Sequence, residues 1–221
     1  MENYMNDYLT IALPKGKLFT ISKNLLHRVG LSADHLSEKS RKLVIENGDL
    51  KVRFIIAKTS DVPTYVEYGA ADIGIIGKDV LLESQKDVYE ILDLGFGKCH
   101  LMMAVPQKEK RRRLLDYSYT RVATKYPHIA ESFFARQGMQ MEYIKLNGSI
   151  ELGPIVGLSE SIVDIVETGT TLAENDLEEI AHILDVSARL IVNRVSFKLK
   201  FHRINEIVNN LRPIIESEEI L

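Results

Sequence analysis

Short apolar runs of strand length alternate with segments of helical apolar spacing along this chain, and that alternation limits the folds open to it. The predicted strands are Tyr8–Leu13, Leu43–Ile45, Val52–Ala57, Asp72–Ile76, Val88–Leu94, Leu101–Val105, Arg121–Thr124, Met141–Leu146, Ile162–Val166 and Leu190–Val195. The predicted helices are Leu18–Val29, Asp61–Tyr68, His128–Gln137 and Phe201–Leu211. Strands alternating with helices predict an α/β protein with mostly parallel sheets.

Capping signals mark several of these boundaries. Ser60 is a good N-cap with Pro63 in the turn that follows it, and Gly138 is a plausible helix stop. Near Ala181–Ser187 we expect the chain to leave an acidic helix and to enter a new strand.

Two segments have the character of crossings between domains. Leu94–Gly97 brackets an aromatic residue with glycines just after a strand, and Ala181–Ser187 is the second such place. If both are crossings, residues 1–95 and 184–221 form domain I, and residues 96–183 form an inserted domain II. Substrate would then lie in the cleft between the two domains, with the double crossover acting as a hinge.

Composition excludes several classes of protein. The net charge is −3, so there is no overall basic field for nucleic acid. The basic run Lys108–Arg113 is short and is best interpreted as solvated. Cys99 is the single cysteine, which excludes an internal disulfide, and we expect it to be buried in a strand. With no apolar stretch suited to a signal peptide or a membrane span, we expect a cytoplasmic protein without membrane contact.

The segment Val163–Leu172 carries the clearest functional signal. An apolar strand with acids leads into a Thr-Gly-Thr-Thr turn and then a helix start. Gly169 allows close backbone approach, while Thr168, Thr170 and Thr171 add hydroxyls, a combination that suits a phosphate monoester. Asp164 and Glu167 can accept hydrogen bonds from ribose hydroxyls or help to hold Mg²⁺. The alternative is an ordinary strand-to-helix connection with a threonine N-cap.

Three further segments have functional and structural interpretations. Lys15, Gly16 and Lys17 form a loop between the first strand and the first helix, where α/β sheets bind ligands, or a plain surface turn. Asp72–Gly74 could receive a flat adenine, with Asp72 or Asp79 free to accept from a hydroxyl; tight helix–strand packing is the alternative. Ser149 is predicted to cap a helix whose first turn holds Glu151.

These segments together resemble the catalytic subunit of ATP phosphoribosyltransferase. The matching strings are IALPKGKL at 11–18, DVPTYVEYGAADIGIIGKDVL at 61–81, ATKYPHIA at 123–130, KLNGSIELGPIVGLSESIVDIVETGTTL at 145–172 and SARLIVNRVSF at 187–197. The resemblance implies a two-domain fold like that of type II periplasmic binding proteins. It also implies attack of adenine N1 of ATP on C1 of phosphoribosyl pyrophosphate (PRPP), the first step of histidine biosynthesis.

The resemblance implies roles for individual residues. Glu151, Asp164, Lys15 and Lys17 would be catalytic, and Glu167, Thr168, Gly169, Thr170, Thr171 and Leu172 would bind PRPP. Gly16, Arg53, Lys58, Asp72, Ile73 and Gly74 would serve ATP or pyrophosphate. Mg²⁺ would be the cofactor, held mainly by the substrate phosphates, and no dedicated metal ligands are predicted.

Two departures from the family pattern matter. Lys17 stands where the family usually has arginine, and the two are not equivalent at a forked phosphate contact. The chain ends at Leu221, so we expect the short form without its own histidine-binding domain. Such forms work with a histidyl-tRNA-synthetase-like regulatory subunit, in a hetero-octamer of four catalytic and four regulatory chains. The competing hypothesis is a non-catalytic small-ligand-binding or sensor domain of the same fold.

Overall fold

The chain folds into two compact units, each with its own sheet and core. The computed structural model describes residues 8–31, 36–37, 42–109 and 113–217. Unit 1 comprises residues 1–97 and 187–221, and unit 2 comprises residues 98–186. The chain passes between the units after Gly97 and after Val186, close to the crossings expected after residue 95 and after residue 183.

Unit 1 contains a six-stranded sheet in the order β2-β3-β1-β4-β11-β5, with elements numbered along the chain. Its strands are β1 (Leu9–Pro14), β2 (Val44–Asn47), β3 (Val52–Ala57), β4 (Ile73–Gly77), β5 (Tyr89–Asp93) and β11 (Ala188–Val192). Strands β3 and β4 both pair with β1 in parallel, whereas β2, β11 and β5 join in antiparallel pairs. The three parallel strands therefore end at one edge of the sheet.

Helices cover both faces of this sheet. They are α1 (Lys17–Arg28), α2 (Val62–Glu67), α3 (Lys78–Ser84), α7 (Arg194–Leu199) and α8 (Phe201–Glu216). One core joins alternate residues of β1, including Ile11 and Leu13, to apolar residues of α1 and α8. A second core joins Ala12 of the same strand to Val62 and Val66 of α2. The alternation of side chains along β1 thus serves both layers.

Unit 2 contains a five-stranded sheet in the order β10-β6-β9-β7-β8. Its strands are β6 (Cys99–Pro106), β7 (Arg121–Thr124), β8 (Glu142–Lys145), β9 (Ser161–Val166) and β10 (Leu177–Val186), and its helices are α4 (Pro127–Arg136), α5 (Leu152–Ile155) and α6 (Thr170–Glu174). Strand β7 pairs in parallel with both β8 and β9, and β6 runs antiparallel to β9 and β10.

The sheets are mixed rather than mostly parallel, and the reason in unit 2 is β6, which runs antiparallel to both of its neighbours, β9 and β10. The sequence predicted an acidic helix before Ala181–Ser187, and this prediction was wrong. Residues 177–186 instead pair with β6 along their length, with two bulges. Acidic residues favour a helix only weakly, whereas strand pairing places Ile180, Ala181, Ile183 and Leu184 against the core.

Several element ends differ from the sequence expectation. The strand predicted to reach Val195 stops at Val192, because Asn193 accepts hydrogen bonds from the N–H groups of Val195 and Ser196 and caps α7. Ser60 lies in a 3-10 turn, so α2 begins after Asp61. The helix stop at Gly138 is confirmed, with φ +71 there and a hydrogen bond from its N–H to the Ala135 carbonyl.

The expectation for Cys99 also needed adjustment. Cys99 is the first residue of β6 and is only partly buried. Residues 110–112 of the basic run lie outside the described residues, and so do residues 1–7. Among the residues that the structure describes, no helix combines the length and the apolar character that a membrane span needs.

Candidate functional site

One edge of the unit 2 sheet gathers the loops that the sequence analysis singled out. Strands β7, β8 and β9 are parallel, so their carboxyl ends meet at this edge. The loop after β8 leads to Glu151, and the loop after β9 is Glu167–Gly169. Ligands of open α/β sheets bind at this kind of edge. We refer to it as the unit 2 carboxyl edge.

The turn at Gly169 has a geometry suited to a phosphate. Gly169 has φ +76 and directly precedes α6, and a Cβ added there would have nothing within 4 Å. Thr170, Thr171 and Leu172 begin the helix, and N–H groups in a first helical turn have no partner inside the helix. Thr168 Oγ1 lies 3.1 Å from Thr170 Oγ1. The turn therefore presents hydroxyl and N–H donors beside open space.

Apolar packing brings this turn, Asp164 and Glu151 to one face of β9. Leu172 and Ile150 are both buried in a cluster with Ile162 of β9. Side chains alternate along a strand, so Asp164 lies on the same face as Ile162. Glu151 follows Ile150 directly. The structure thus brings Glu151, Asp164 and the turn at Gly169, which the sequence predicted in two segments, to one side of β9.

The individual side chains differ in what they can offer. Glu167, Thr168, Thr170 and Thr171 are exposed, whereas the Leu172 side chain is buried, which leaves only its backbone for a ligand. Asp164 is partly buried, and its Oδ1 accepts from the N–H of Ile165 at 2.8 Å.

Glu151 does not occupy the expected place in its helix. Ser149 has φ +49 and precedes Glu151, which is itself the N-cap residue of α5 and makes no side-chain capping hydrogen bond. The prediction that Ser149 caps the helix was therefore wrong, because α5 begins at Leu152, and Ser149 opens the turn before it by accepting a hydrogen bond from the Leu152 N–H at 3.1 Å. Glu151 is partly buried at the unit 2 carboxyl edge.

A second candidate edge lies in unit 1, where β1 and β3 end side by side. The Lys15 N–H donates to the Ala57 carbonyl at 2.9 Å, and Thr59 Oγ1 donates to the Lys15 carbonyl at 3.2 Å. Lys15, Gly16, Lys17 and Lys58 are all exposed at this edge. Gly16 has φ +93, which explains the need for glycine where the strand turns into α1. The Lys15–Lys17 loop and Lys58 therefore lie side by side at the ends of neighbouring strands.

Asp72 does not belong to this edge, and the expectation that it is free for a hydroxyl was wrong. Its side chain is buried, with Oδ2 accepting from the Thr10 N–H at 2.8 Å and Lys200 Nζ at 2.7 Å. Its Oδ1 accepts from Ser196 Oγ at 2.6 Å. Asp72 therefore ties β1 and β4 to the α7–α8 corner.

Ile73 and Gly74 are equally unavailable to an adenine. Both lie at the amino end of β4 and are buried. A Cβ on Gly74 would come within 2.8 Å of Val66 and 2.9 Å of Val62. The packing alternative is therefore correct for Gly74, because the absence of a side chain lets α2 approach β4 closely.

Arg53 also lies away from the edge where the lysines meet. It is the second residue of β3, about 13 Å from the carboxyl end at the usual strand rise. Its Nε donates to Glu46 Oε1 at 2.7 Å, and its guanidinium lies 5.3 Å from the Tyr8 ring centroid. The structure does not support a role for Arg53 in binding pyrophosphate.

Several contacts around these residues are created only by the fold and could not be predicted from the sequence. Asp72 accepts hydrogen bonds from Thr10, Ser196 and Lys200, which lie 62, 124 and 128 positions away in the sequence. No local sequence pattern indicates these contacts. Lys125 follows β7 directly and lies in one of the matching strings, but no role was predicted for it. Its place after a parallel strand is a sequence feature that indicates a ligand-binding position.

A strong ion pair holds the opposite edge of the unit 2 sheet. Arg121 Nη2 donates to Glu160 Oε1 at 2.5 Å, and the Arg121 backbone N–H donates to Glu160 Oε2 at 2.8 Å. The hydrogen bond from the Arg121 side chain lowers the pKa of Glu160 below its ordinary value. This pair joins the amino ends of β7 and β9, and so lies away from the candidate site.

The described part of the chain presents no group of three or more His, Cys, Asp or Glu side chains arranged to hold a metal ion.

Comparisons with known proteins match the chain to one family. Residues 58–213 match the family model described as HisG: ATP phosphoribosyltransferase. An ATP phosphoribosyltransferase from Desulfitobacterium hafniense is 52% identical over 216 residues, covering 95% of this chain and 97% of the relative. A chain of the ATP phosphoribosyl transferase (HisG:HisZ) complex from Thermotoga maritima superposes with a TM-score of 0.80 at 32% identity, covering 95% of this chain and 100% of that one.

The fold itself is shared more widely. A histidine kinase sensor domain with similarity to periplasmic binding proteins superposes with a TM-score of 0.61 at 10% identity, covering 96% of this chain and 92% of that one. The expected periplasmic-binding-protein-like α/β fold is confirmed. A sequence identity of 10% shows only a shared fold. A sequence identity of 52% over nearly the whole chain shows membership of the same family. The chain belongs to the ATP phosphoribosyltransferase family.

Proposed function

We propose that this chain transfers the 5-phosphoribosyl group of PRPP to N1 of the adenine of ATP and releases pyrophosphate, as the first step of histidine biosynthesis. The observation that carries the proposal is the unit 2 carboxyl edge. There, the left-handed turn at Gly169 lies on the same face of β9 as Asp164 and Glu151. Hydrogen-bond donors at the turn suit the phosphate of a ribose 5-phosphate, and the neighbouring carboxylates suit its ribose hydroxyls.

The turn would bind the 5-phosphate. Its hydrogen-bond donors are the backbone N–H groups of Thr170, Thr171 and Leu172 and the hydroxyls of Thr168 and Thr170. A phosphate beside several N–H groups at a helix start is bound by directed hydrogen bonds and by the local dipole. Gly169 would keep the space above the turn clear of a side chain.

Asp164 and Glu151 would act on the ribose, with Glu167 at its margin. Carboxylates accept hydrogen bonds from the ribose hydroxyls and so orient the ring. As the bond from C1 to pyrophosphate breaks, positive charge grows on the sugar, and a nearby carboxylate stabilises that charge. Adenine N1 is largely unprotonated at neutral pH, so the attack needs no general base.

Lys15, Lys17 and Lys58 in unit 1 would bind the anionic phosphates of ATP or pyrophosphate, with Gly16 allowing close backbone approach. Charge developing on the leaving pyrophosphate is the main electrostatic demand of the reaction. Removing one such charge-stabilising contact typically costs about 10²–10³ in rate. Lys17, as a point charge, would make a single contact where a guanidinium would make two.

Mg²⁺ is proposed as the cofactor. Its hard oxygen preference fits substrate phosphates together with one carboxylate, and Asp164 or Glu167 could supply that ligand. Bound there, the ion would neutralise charge on the phosphates. The proposal includes a cytoplasmic location, because ATP is made and used there.

A regulatory partner completes the proposal. The Thermotoga maritima relative is described as part of a HisG:HisZ complex. By that likeness we propose that this chain works with a histidyl-tRNA-synthetase-like regulatory subunit, in a hetero-octamer of four catalytic and four regulatory chains.

The deciding experiment measures pyrophosphate release from PRPP and ATP, with and without the regulatory subunit. Release that requires both substrates supports the proposal. Tight PRPP or ATP binding without any release, even with the partner, would favour the competing ligand-binding or sensor function.

The phosphate turn has a matched pair of variants. Gly169→Val should abolish PRPP binding in calorimetry, because a β-branched residue is strained at φ +76 and fills the space above the turn. Gly157 has φ +71 and equally open surroundings, but it precedes β9 and lies toward the other end of that strand. Gly157→Val carries the same backbone strain and should leave PRPP affinity unchanged.

A further inference from the structure

Lys125 occupies a central place at the unit 2 carboxyl edge. It is the first residue after β7, the strand that pairs in parallel with both β8 and β9. Thr124 is in register with Val163, so the next position lies level with Asp164 on the neighbouring strand. Val166, where β9 ends, is two residues or about 7 Å farther along. A lysine stem can span that distance toward the turn at Gly169.

The backbone at Lys125 is held on both sides. Thr124 is fully buried, and its Oγ1 donates to the Val163 carbonyl at 2.7 Å. The same oxygen accepts from the Tyr126 N–H at 2.8 Å. These bonds fix the end of β7 to β9, so the root of the Lys125 side chain has a defined position relative to Asp164.

The Lys125 ammonium itself is only weakly engaged. The residue is exposed, and its Nζ lies 5.8 Å from the ring centroid of the buried Tyr126. A cation–π contact at an exposed site is a weak interaction. The ammonium can therefore leave the ring for a stronger, charge-assisted partner.

A cation at this edge would offset the negative charges that gather there. Glu151, Asp164 and Glu167 are acidic, and the proposed ligand adds a phosphate monoester and a pyrophosphate. Like charges repel, and a nearby ammonium offsets that repulsion. Lys125 lies between the loop that carries Glu151 and the loop that carries Glu167.

We propose that Lys125 is a further substrate-binding residue, whose ammonium contacts a phosphoryl group of the phosphoribosyl substrate at the unit 2 carboxyl edge. The inference rests on the proposed function. Both the 5-phosphate and the pyrophosphate present the oxyanion chemistry that Lys125 would recognise, and the test separates them.

The test measures calorimetric binding of PRPP and of ribose 5-phosphate to the full chain and to Lys125→Met. The variant removes the charge but keeps a stem of similar size. Loss of a charge-assisted hydrogen bond should weaken PRPP binding about 10- to 100-fold. Weaker binding of both ligands assigns Lys125 to the 5-phosphate, and weaker binding of PRPP alone assigns it to the pyrophosphate.

Two further variants act as controls. Lys125→Arg keeps the charge and should recover most of the affinity. Lys108 is an exposed lysine just beyond β6, at the opposite edge of the same sheet because β6 runs antiparallel to β9. Lys108→Met removes the same charge from the unit and should leave both affinities unchanged.

The outcomes separate this inference from the proposed function. If the unaltered chain binds PRPP and Lys125→Met binds it equally well, the role of Lys125 is refuted while the function stands. Equal losses in Lys125→Met and Lys108→Met also refute it, because the effect is then one of overall charge. If the unaltered chain binds no PRPP, the proposed function itself fails.

Discussion

Asp72→Asn separates two incompatible accounts of Asp72, as a nucleotide ligand or as a structural anchor. In the structure its carboxylate accepts from the Thr10 N–H, Ser196 Oγ and Lys200 Nζ. An asparagine keeps one oxygen acceptor, but turns an NH₂ group toward a donor and leaves Lys200 without its anion. We therefore expect a loss of stability and no loss of ATP affinity.

The magnitude follows from the burial of the pair. Removing one partner of a fully buried ion pair costs about 3–5 kcal/mol. The Lys200 side chain is 19% exposed and keeps a 2.7 Å hydrogen bond to the Tyr8 carbonyl. We therefore expect a loss of about 2–3 kcal/mol in the free energy of unfolding. With about 2.1 cal/mol/K of unfolding entropy per residue over the whole chain, Tm should fall by about 4–7 °C.

Thermal unfolding and ATP kinetics on the same preparations check this prediction. Asp87→Asn is the matched control, since the Asp87 side chain is 71% exposed and binds Arg194 at 2.7 Å. That pair is solvent-exposed, so its loss should not change Tm measurably. An unchanged Tm in Asp72→Asn together with a large rise in KM for ATP would refute the anchor and restore Asp72 as a ligand.

Three other predictions follow from particular contacts. Gly74→Ala should destabilise the chain by about 1–3 kcal/mol in denaturant unfolding, because its Cβ would overlap Val62 and Val66; no change would contradict the close packing of α2 on β4. Glu160→Gln should lower Tm at pH 7, where the Arg121 pair is intact. The hydrogen bond from Arg121 lowers the pKa of Glu160 below its ordinary value of 4.5. The difference in Tm between the variant and the unaltered chain should therefore shrink as the pH falls below 4.5, and vanish below the lowered pKa of Glu160. A Tm difference that does not depend on pH would exclude the ion pair as its cause. Asp164→Asn should lower turnover more than it weakens ATP binding, and equal turnover would leave Asp164 a purely structural role.

The α/β class and the candidate phosphate turn could be predicted because both depend on local sequence. Alternating apolar runs and helical spacing are imposed by side-chain periodicity, and a Thr-Gly-Thr-Thr turn after a strand requires glycine at its left-handed position. The same reasoning placed Lys15 and Lys17 in the loop after the first strand. Lys58 was expected only as a cation for ATP or pyrophosphate, and the parallel pairing of β1 with β3 puts it beside that loop.

The tertiary structure decided what those local patterns left open. Asp72, Gly74 and Arg53 have the residue types of a ligand site, yet long-range pairing assigns them to an ion pair, a helix contact and a cross-strand bridge. Residues 177–186 have acidic composition compatible with a helix, but the unpaired edge of β6 offers a partner along their whole length. The register of β7 on β9 likewise sets Lys125 beside Asp164. Burial and strand register depend on residues far apart in the chain, so local sequence could not determine them.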